Sequence, residues 1–176
     1  VVEEHPDAVR TDYSVNEGSG ERVVLGDRVV YLCATAEKMT SPFLLRVLGR
    51  SGHASMPAIA DNALVKAAPL IERLGRFTVE PQLIPEVEAF FHAVSGSAPA
   101  PGDSLAAANG LSPLAGELIE PLLGMTVSPT VVRASDKRNV IPAVCEVTLD
   151  VRLLPGQSPA QAEAALHACL GEGDYE

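Results

Sequence analysis

Residues 143–153 constrain the fold most, because they alternate without a break. Cys145, Val147, Leu149, Val151 and Leu153 fall on one side of an extended chain. Glu146, Thr148, Asp150 and Arg152 fall on the other. This predicts a strand with one apolar and one polar face, ended by Pro155-Gly156. Ser158-Pro159-Ala160-Gln161 reads as a capping box with proline at the first helical position, so a helix starts there. Ala162, Ala165, Leu166, Cys169 and Leu170 form its apolar stripe, and Gly171 closes it. Asp174-Tyr175-Glu176 begin a further strand.

Upstream, 42–48 reads as a strand and about 59–74 as a helix, with Leu64, Ala67, Ala68 and Ile71 at i, i+3, i+4 and i+7. Gly75 stops that helix, and Pro69 inside it is expected to kink or break it. Residues 76–127 differ in character and read as an insertion. They hold a short helix over 85–94 with Phe90 and Phe91, a Ser/Pro/Ala/Gly connector over 95–102, and helical turns within 111–123. The stretch 97–103 is expected to be mobile. A strand over 129–134 and a polar turn, Ser135-Asp136-Lys137-Arg138-Asn139, lead back to the alternating run. From residue 42 the order is therefore β-α-(insertion)-β-β-α-(β). That is an α+β, ferredoxin-like split βαβ sandwich: an antiparallel sheet with two helices on one face. Residues 1–40 fall outside it. There, 22–25 and 28–36 read as two strands joined by a hairpin at Gly26-Asp27.

Composition narrows the function classes. At 176 residues the chain suits one domain, or one plus a fragment of another, and 47% apolar residues suffice for a core. No apolar run approaches the roughly 20 residues of a membrane span, and the first residues lack a signal-peptide pattern. With 13 basic and 23 acidic residues the net charge is −10. Such a surface repels phosphate backbones, so neither nucleic-acid nor membrane partners are expected. Cys33, Cys145 and Cys169 have neither metal-ligand nor disulfide spacing, which fits buried thiols in a cytoplasmic protein.

Four residues are candidates for chemistry. His53 stands in Gly49-Arg50-Ser51-Gly52-His53-Ala54-Ser55, a glycine-flanked bend after a strand, where an imidazole can meet a ligand. Glu17, beside Gly18, is either a turn carboxylate or a metal ligand. Asn139, in Asn139-Val140-Ile141-Pro142, either shapes its turn or binds substrate. Arg152, on the polar face of its strand, either pairs with Asp150 or Glu146 or clamps a substrate carboxylate with its fork. Lys38 is expected to be a solvated strand-end lysine. His5, His92 and His167 have no partner spacing.

At Asn16-Glu17-Gly18, Ala36-Glu37-Lys38-Met39, Gly52-His53-Ala54-Ser55, Asn139-Val140-Ile141-Pro142 and Asp150-Val151-Arg152 the chain resembles a family of zinc-dependent peptidases and deacylases. The family contains acetylornithine deacetylase, succinyl-diaminopimelate desuccinylase, aminoacylase and glutamate carboxypeptidase. The resemblance implies a catalytic α/β domain with two zinc ions and an inserted ferredoxin-like lid that also forms the dimer. It implies that 1–40 is a fragment of the catalytic domain and 41–176 the lid, carrying the insertion at about 76–127. It further implies Glu17 as a zinc ligand and His53 as the lid histidine that reaches the partner subunit's site. Asn139 and Arg152 would then hold the substrate's carbonyl or carboxylate. The expected reaction is cleavage of an amide bond, in a small peptide or N-acyl amino acid, next to a free carboxylate.

Apart from His5-Pro6-Asp7, whose histidine has no partner spacing, no His-x-Asp triplet occurs, and neither an Asp-rich bridging segment nor a late zinc histidine is present. Glu3-Glu4 is rejected as the family's adjacent glutamate pair, because it lies only 13 positions before Glu17 (17 minus 4). The chain is thus expected to be a slice of a longer enzyme, inactive alone and binding no zinc stably. The alternative is a non-catalytic ferredoxin-like domain that binds a partner or small ligand.

Overall fold

A computed structural model describes residues 4–13, 20–25 and 28–176. The chain divides into two compact units, Val1–Ala34 and Thr35–Glu176.

The first unit holds a one-turn helix, α1 (Pro6–Val9), and an antiparallel pair, β1 (Arg22–Leu25) with β2 (Arg28–Tyr31). The pairing runs from Arg22 opposite Tyr31 to Leu25 opposite Arg28. The Gly26-Asp27 turn lies outside the described residues. β2 stops at Tyr31 rather than at residue 36; just beyond it the Leu32 N–H donates to the Glu21 carbonyl at 3.0 Å and the Gly20 N–H donates to the Leu32 carbonyl at 2.7 Å. Cys33 is exposed, not buried as expected.

The second unit contains β3 (Met39–Thr40), β4 (Phe43–Leu48), β5 (Gly52–His53), α2 (Ala63–Gly75), α3 (Pro85–Ser95), α4 (Ser104–Leu111), α5 (Pro113–Ile119), β6 (Thr126–Arg133), β7 (Val140–Ile141), β8 (Val144–Leu153) and α6 (Pro159–Leu170). β8 is the central strand. On one side it pairs antiparallel with β6. On the other it pairs with β4 along its first half and with β3 at its end. Beyond β4, Tyr175 bridges Val47, and Arg46 exchanges backbone hydrogen bonds with Glu176 at 2.9 and 2.8 Å. The spatial order is thus C-terminal segment, β4, β8, β6, which is the ferredoxin-like arrangement expected from the sequence.

The alternation in β8 is realised residue by residue. Cys145, Val147, Leu149, Val151 and Leu153 are each at most 1% exposed, packed with Leu45 and Val47 of β4 under α2 and α6. Burying each such aliphatic side chain stabilises the fold by about 1.5–3 kcal/mol. The capping box at Ser158 and Gln161 is formed as well.

Three local readings need correction. α2 is one continuous helix despite Pro69, which lies on its exposed face where the carbonyl left unbonded can meet water. It begins at Ala63, capped by Asn62 Oδ1 accepting from the Leu64 N–H at 3.0 Å. Its buried face is Ala63, Ala67 and Leu74, so Leu64 and Ala68 point outward. β6 begins at Thr126, not at residue 129, and its register shifts between Pro129 and Val131. Among the described residues β6 pairs with β8 alone, and the bulge accommodates its proline.

The insertion has its own small core of Val87, Phe91, Ala108, Ile119 and Leu123. Residues 104–111 are helical, where no helix was expected.

Candidate functional site

β4 delivers the chain to the bend that carries His53. The Gly49 N–H donates to the Ala143 carbonyl at 2.7 Å, and Arg50 and Asp61 bridge through two backbone hydrogen bonds. His53 then pairs with Val140, Gly52 pairs with Ile141, and the Ala54 N–H donates to the Asn139 carbonyl at 3.0 Å. This two-rung ladder brings His53 and Asn139 together. Both are exposed. The Asn139 side-chain amide makes no hydrogen bond among the described residues, so it remains available to a ligand.

The ring of His53 is oriented locally. The Ser55 backbone N–H donates to its Nδ1 at 3.2 Å, and Ser55 Oγ lies 2.7 Å from the same nitrogen. A backbone N–H can only donate, so Nδ1 accepts, and the neutral ring carries its proton on Nε2. Nε2–H is therefore the ring's remaining donor, on an exposed side chain. Ser55 was not singled out in the sequence, although its place two residues after the histidine is the signal for such a contact.

Arg152 lies at the far end of β8. From Val144 to Arg152 is eight residues, about 26 Å at a strand's rise, so the two ends of β8 lie further apart than one small substrate spans. The Arg152 fork donates from Nε and Nη2 to both Asp150 oxygens at 2.7 and 3.0 Å. Its Nη1 donates to Thr40 Oγ1 at 2.7 Å. The structural pairing with Asp150 is thus present, and it holds the Asp150 carboxyl below the usual carboxylate range. Three of the five guanidinium N–H groups are engaged, and the side chain remains half exposed, which leaves two donors for an incoming carboxylate.

Lys38 is not the solvated lysine expected. Its Nζ donates to the carbonyls of Pro121 and Gly124 at 2.7 and 2.8 Å, and lies 3.3 Å from Thr126 Oγ1. Burial, and behind it the nearby Arg152 guanidinium, push its amine down to about 8. The sequence hides this role because the acceptors are backbone carbonyls more than 80 residues away.

Glu17 lies outside the described residues. Among the described residues no three His, Cys, Asp or Glu side chains gather in a way that could hold a metal ion. The described part of the chain therefore does not fit a zinc centre by itself. No helix among the described residues is long and apolar enough to cross a membrane.

Residues 35–176 match the family model described as a peptidase dimerisation domain. The chain belongs to that family. This dimerisation domain has the same fold as an M20 family metallo-carboxypeptidase from Sulfolobus solfataricus, with TM-score 0.51, 16% identity, 96% of this chain and 42% of that one. A di-peptidase from Saccharomyces cerevisiae matches with TM-score 0.51, 12% identity, 86% of this chain and 34% of that one. An aminobenzoyl-glutamate utilization protein from Klebsiella pneumoniae matches at TM-score 0.45 and 17% identity, over 76% of this chain and 24% of that one. The chain thus spans less than half the length of these solved structures. No curated protein matches the sequence. The dimerisation domain comes from a family of peptidases and amidohydrolases, as the sequence resemblance implies.

Proposed function

We propose that this chain is the lid and dimer contact of a zinc-dependent amide hydrolase acting on a small peptide or N-acyl amino acid with a free carboxylate beside the scissile bond. The zinc ions would be held mainly by polypeptide outside the described residues, with Glu17 as one ligand, so the chain alone is inactive. The enzyme is cytoplasmic and homodimeric.

The observation that carries this reading is the Nε2–H donor of His53 beside the unengaged amide of Asn139, with Arg152 at the other end of β8. In a two-fold dimer, His53 and Asn139 of one lid serve the partner's site, while Arg152 serves the site of its own chain. Arg152, oriented by Asp150 and Thr40, binds the substrate carboxylate. His53 Nε2–H donates to the amide carbonyl oxygen as it gains negative charge, and such donors are worth about 10²–10³ in turnover. Asn139 adds a second donor to the same end of the substrate.

The dimer contact is the free edge of β6 with the adjoining face of α2, since Val131 and Val132 are 43% and 46% exposed and Leu64 and Val65 are 44% and 65% exposed. An unpaired strand edge flanked by apolar side chains invites a second strand.

The test is the His53→Ala variant of the full-length protein. It should lose about 10²–10³-fold in kcat while its zinc content, measured by elemental analysis, stays unchanged. Full turnover in that variant would overturn the reading.

A further inference from the structure

Arg152 is flanked by a threonine on either side. Thr40 of β3 and Thr126 of β6 are its ladder partners across the sheet, so the three side chains project on one face. Thr40 Oγ1 accepts from the arginine fork, and Thr126 Oγ1 lies 3.3 Å from Lys38 Nζ. The Lys38 ammonium is thus anchored to the residue beside Arg152. Its other two bonds go to the Pro121 and Gly124 carbonyls, where the insertion returns to the sheet.

The charges at this end of β8 do not cancel. Asp150 answers Arg152, whereas all three acceptors of Lys38 are uncharged. Among the described residues Lys38 takes part in no salt bridge. Glu37 beside it, and Glu80 and Glu120 near the two ends of the insertion, are exposed. Lys38 and Arg152 less Asp150 leave one net positive charge, in a chain whose net charge is −10. Holding a half-buried ammonium among neutral acceptors alone costs folding energy, and an anion that arrives with the ligand offsets it. The three N–H donors of Lys38 are all engaged, so it acts on such a ligand by its charge and not by contact.

We propose that Lys38 is a positioning residue that acts on the substrate through Arg152: bolted to Thr126 and to the return of the insertion, it keeps a second positive charge beside the fork, and the fork binds the substrate's carboxylate tightly only while Lys38 is protonated. This rests on the reading above, in which Arg152 receives that carboxylate. Burial and, behind it, the Arg152 guanidinium hold the Lys38 amine at about 8. It is therefore mostly charged at about pH 7 and mostly neutral by about pH 9.5.

The test follows the KM of an N-acyl amino acid on the full-length enzyme from about pH 7 to about pH 9.5. In the wild type KM should rise about fivefold as Lys38 loses its proton, the effect of one charge removed from about 8 Å away. Lys38→Arg cannot lose its charge in this range, so its KM should stay flat. Lys38→Met should show the raised KM throughout, with kcat within about twofold of wild type. A second readout needs neither zinc nor substrate. It is the titration midpoint of the Lys38 amine, read by NMR of lysine-labelled protein and assigned as the signal missing from Lys38→Arg. In Arg152→Gln this midpoint should move up toward the ordinary 10.5. A wild-type KM no more sensitive to pH than that of Lys38→Arg, or a midpoint unmoved in Arg152→Gln, would overturn the inference and leave the hydrolase reading standing. Failure to cleave any N-acyl amino acid or dipeptide would instead count against the hydrolase reading itself. A midpoint that still depends on Arg152 in that case keeps the two cations as one anion-binding unit.

Discussion

Gly49 offers the sharpest test of how the histidine bend is built. Its φ is not in the left-handed region, so the glycine is there for space rather than for backbone freedom. A Cβ at this position would stand 2.3 Å from the Asp61 carbonyl oxygen and 2.9 Å from the Ala63 nitrogen. Ordinary contact begins near 3.4 Å, so the neighbour must retreat by 3.4 − 2.3 = 1.1 Å. Both atoms are backbone, and no side chain can rotate to relieve the clash. The Asp61 carbonyl is also the acceptor for the Arg50 N–H at 2.7 Å, so its retreat stretches that hydrogen bond. Overpacking of this kind costs about 1–3 kcal/mol, and the weakened bond adds about 1 kcal/mol. Gly49→Ala should therefore destabilise the chain by about 2–4 kcal/mol. Urea unfolding followed by circular dichroism reads this as a lower midpoint at unchanged slope. Gly75→Ala is the control: nothing lies within 4 Å of its Cβ position, and it closes α2, so the substitution should be neutral or stabilising by up to about 1 kcal/mol. A Gly49→Ala protein within about 0.5 kcal/mol of wild type would refute the close-approach account of the bend.

The Lys38 amine carries a pH prediction. Its folded value of about 8 lies below the ordinary 10.5, so between those limits the unfolded chain binds the extra proton and stability rises with pH. Relative to Lys38→Met, the wild-type chain should gain about 1–2 kcal/mol between pH 7.5 and 10, a figure reduced from the full linkage value because the side chain is half exposed; a flat difference across that range would sink the assignment. The β6 edge carries another. Val131→Lys/Val132→Lys should convert a dimer to a monomer in light scattering with the far-ultraviolet spectrum intact, and a variant that stays dimeric would move the contact elsewhere.

The elements legible in the sequence are those whose partner is the core itself. β8 announces itself because every second residue is buried, and α6 because Ser158 and Gln161 cap it locally. α2 is visible as a helix, and of its expected stripe Ala67 and Ile71 face the core while Leu64 and Ala68 do not, because the buried face is set by the sheet it packs on rather than by the spacing alone. α4, Ser104–Leu111, has an almost even spread of small residues and no amphipathic stripe to read. The same divide holds for the candidate site. His53 was visible from its flanking glycines, whereas its nearness to Asn139 comes from a ladder of two residues per strand, too short to leave a pattern. Lys38 was misread because its partners are carbonyls, which no side-chain pattern reveals.

β8 also has a mechanical consequence. Ten residues long, laced to neighbours on both edges and roofed by two helices, it behaves as a stiff beam with the histidine bend near one end and the arginine fork near the other. Tilting a beam about its middle lowers one tip only by raising the other. A displacement imposed at one tip is therefore carried to the other rather than absorbed along the strand.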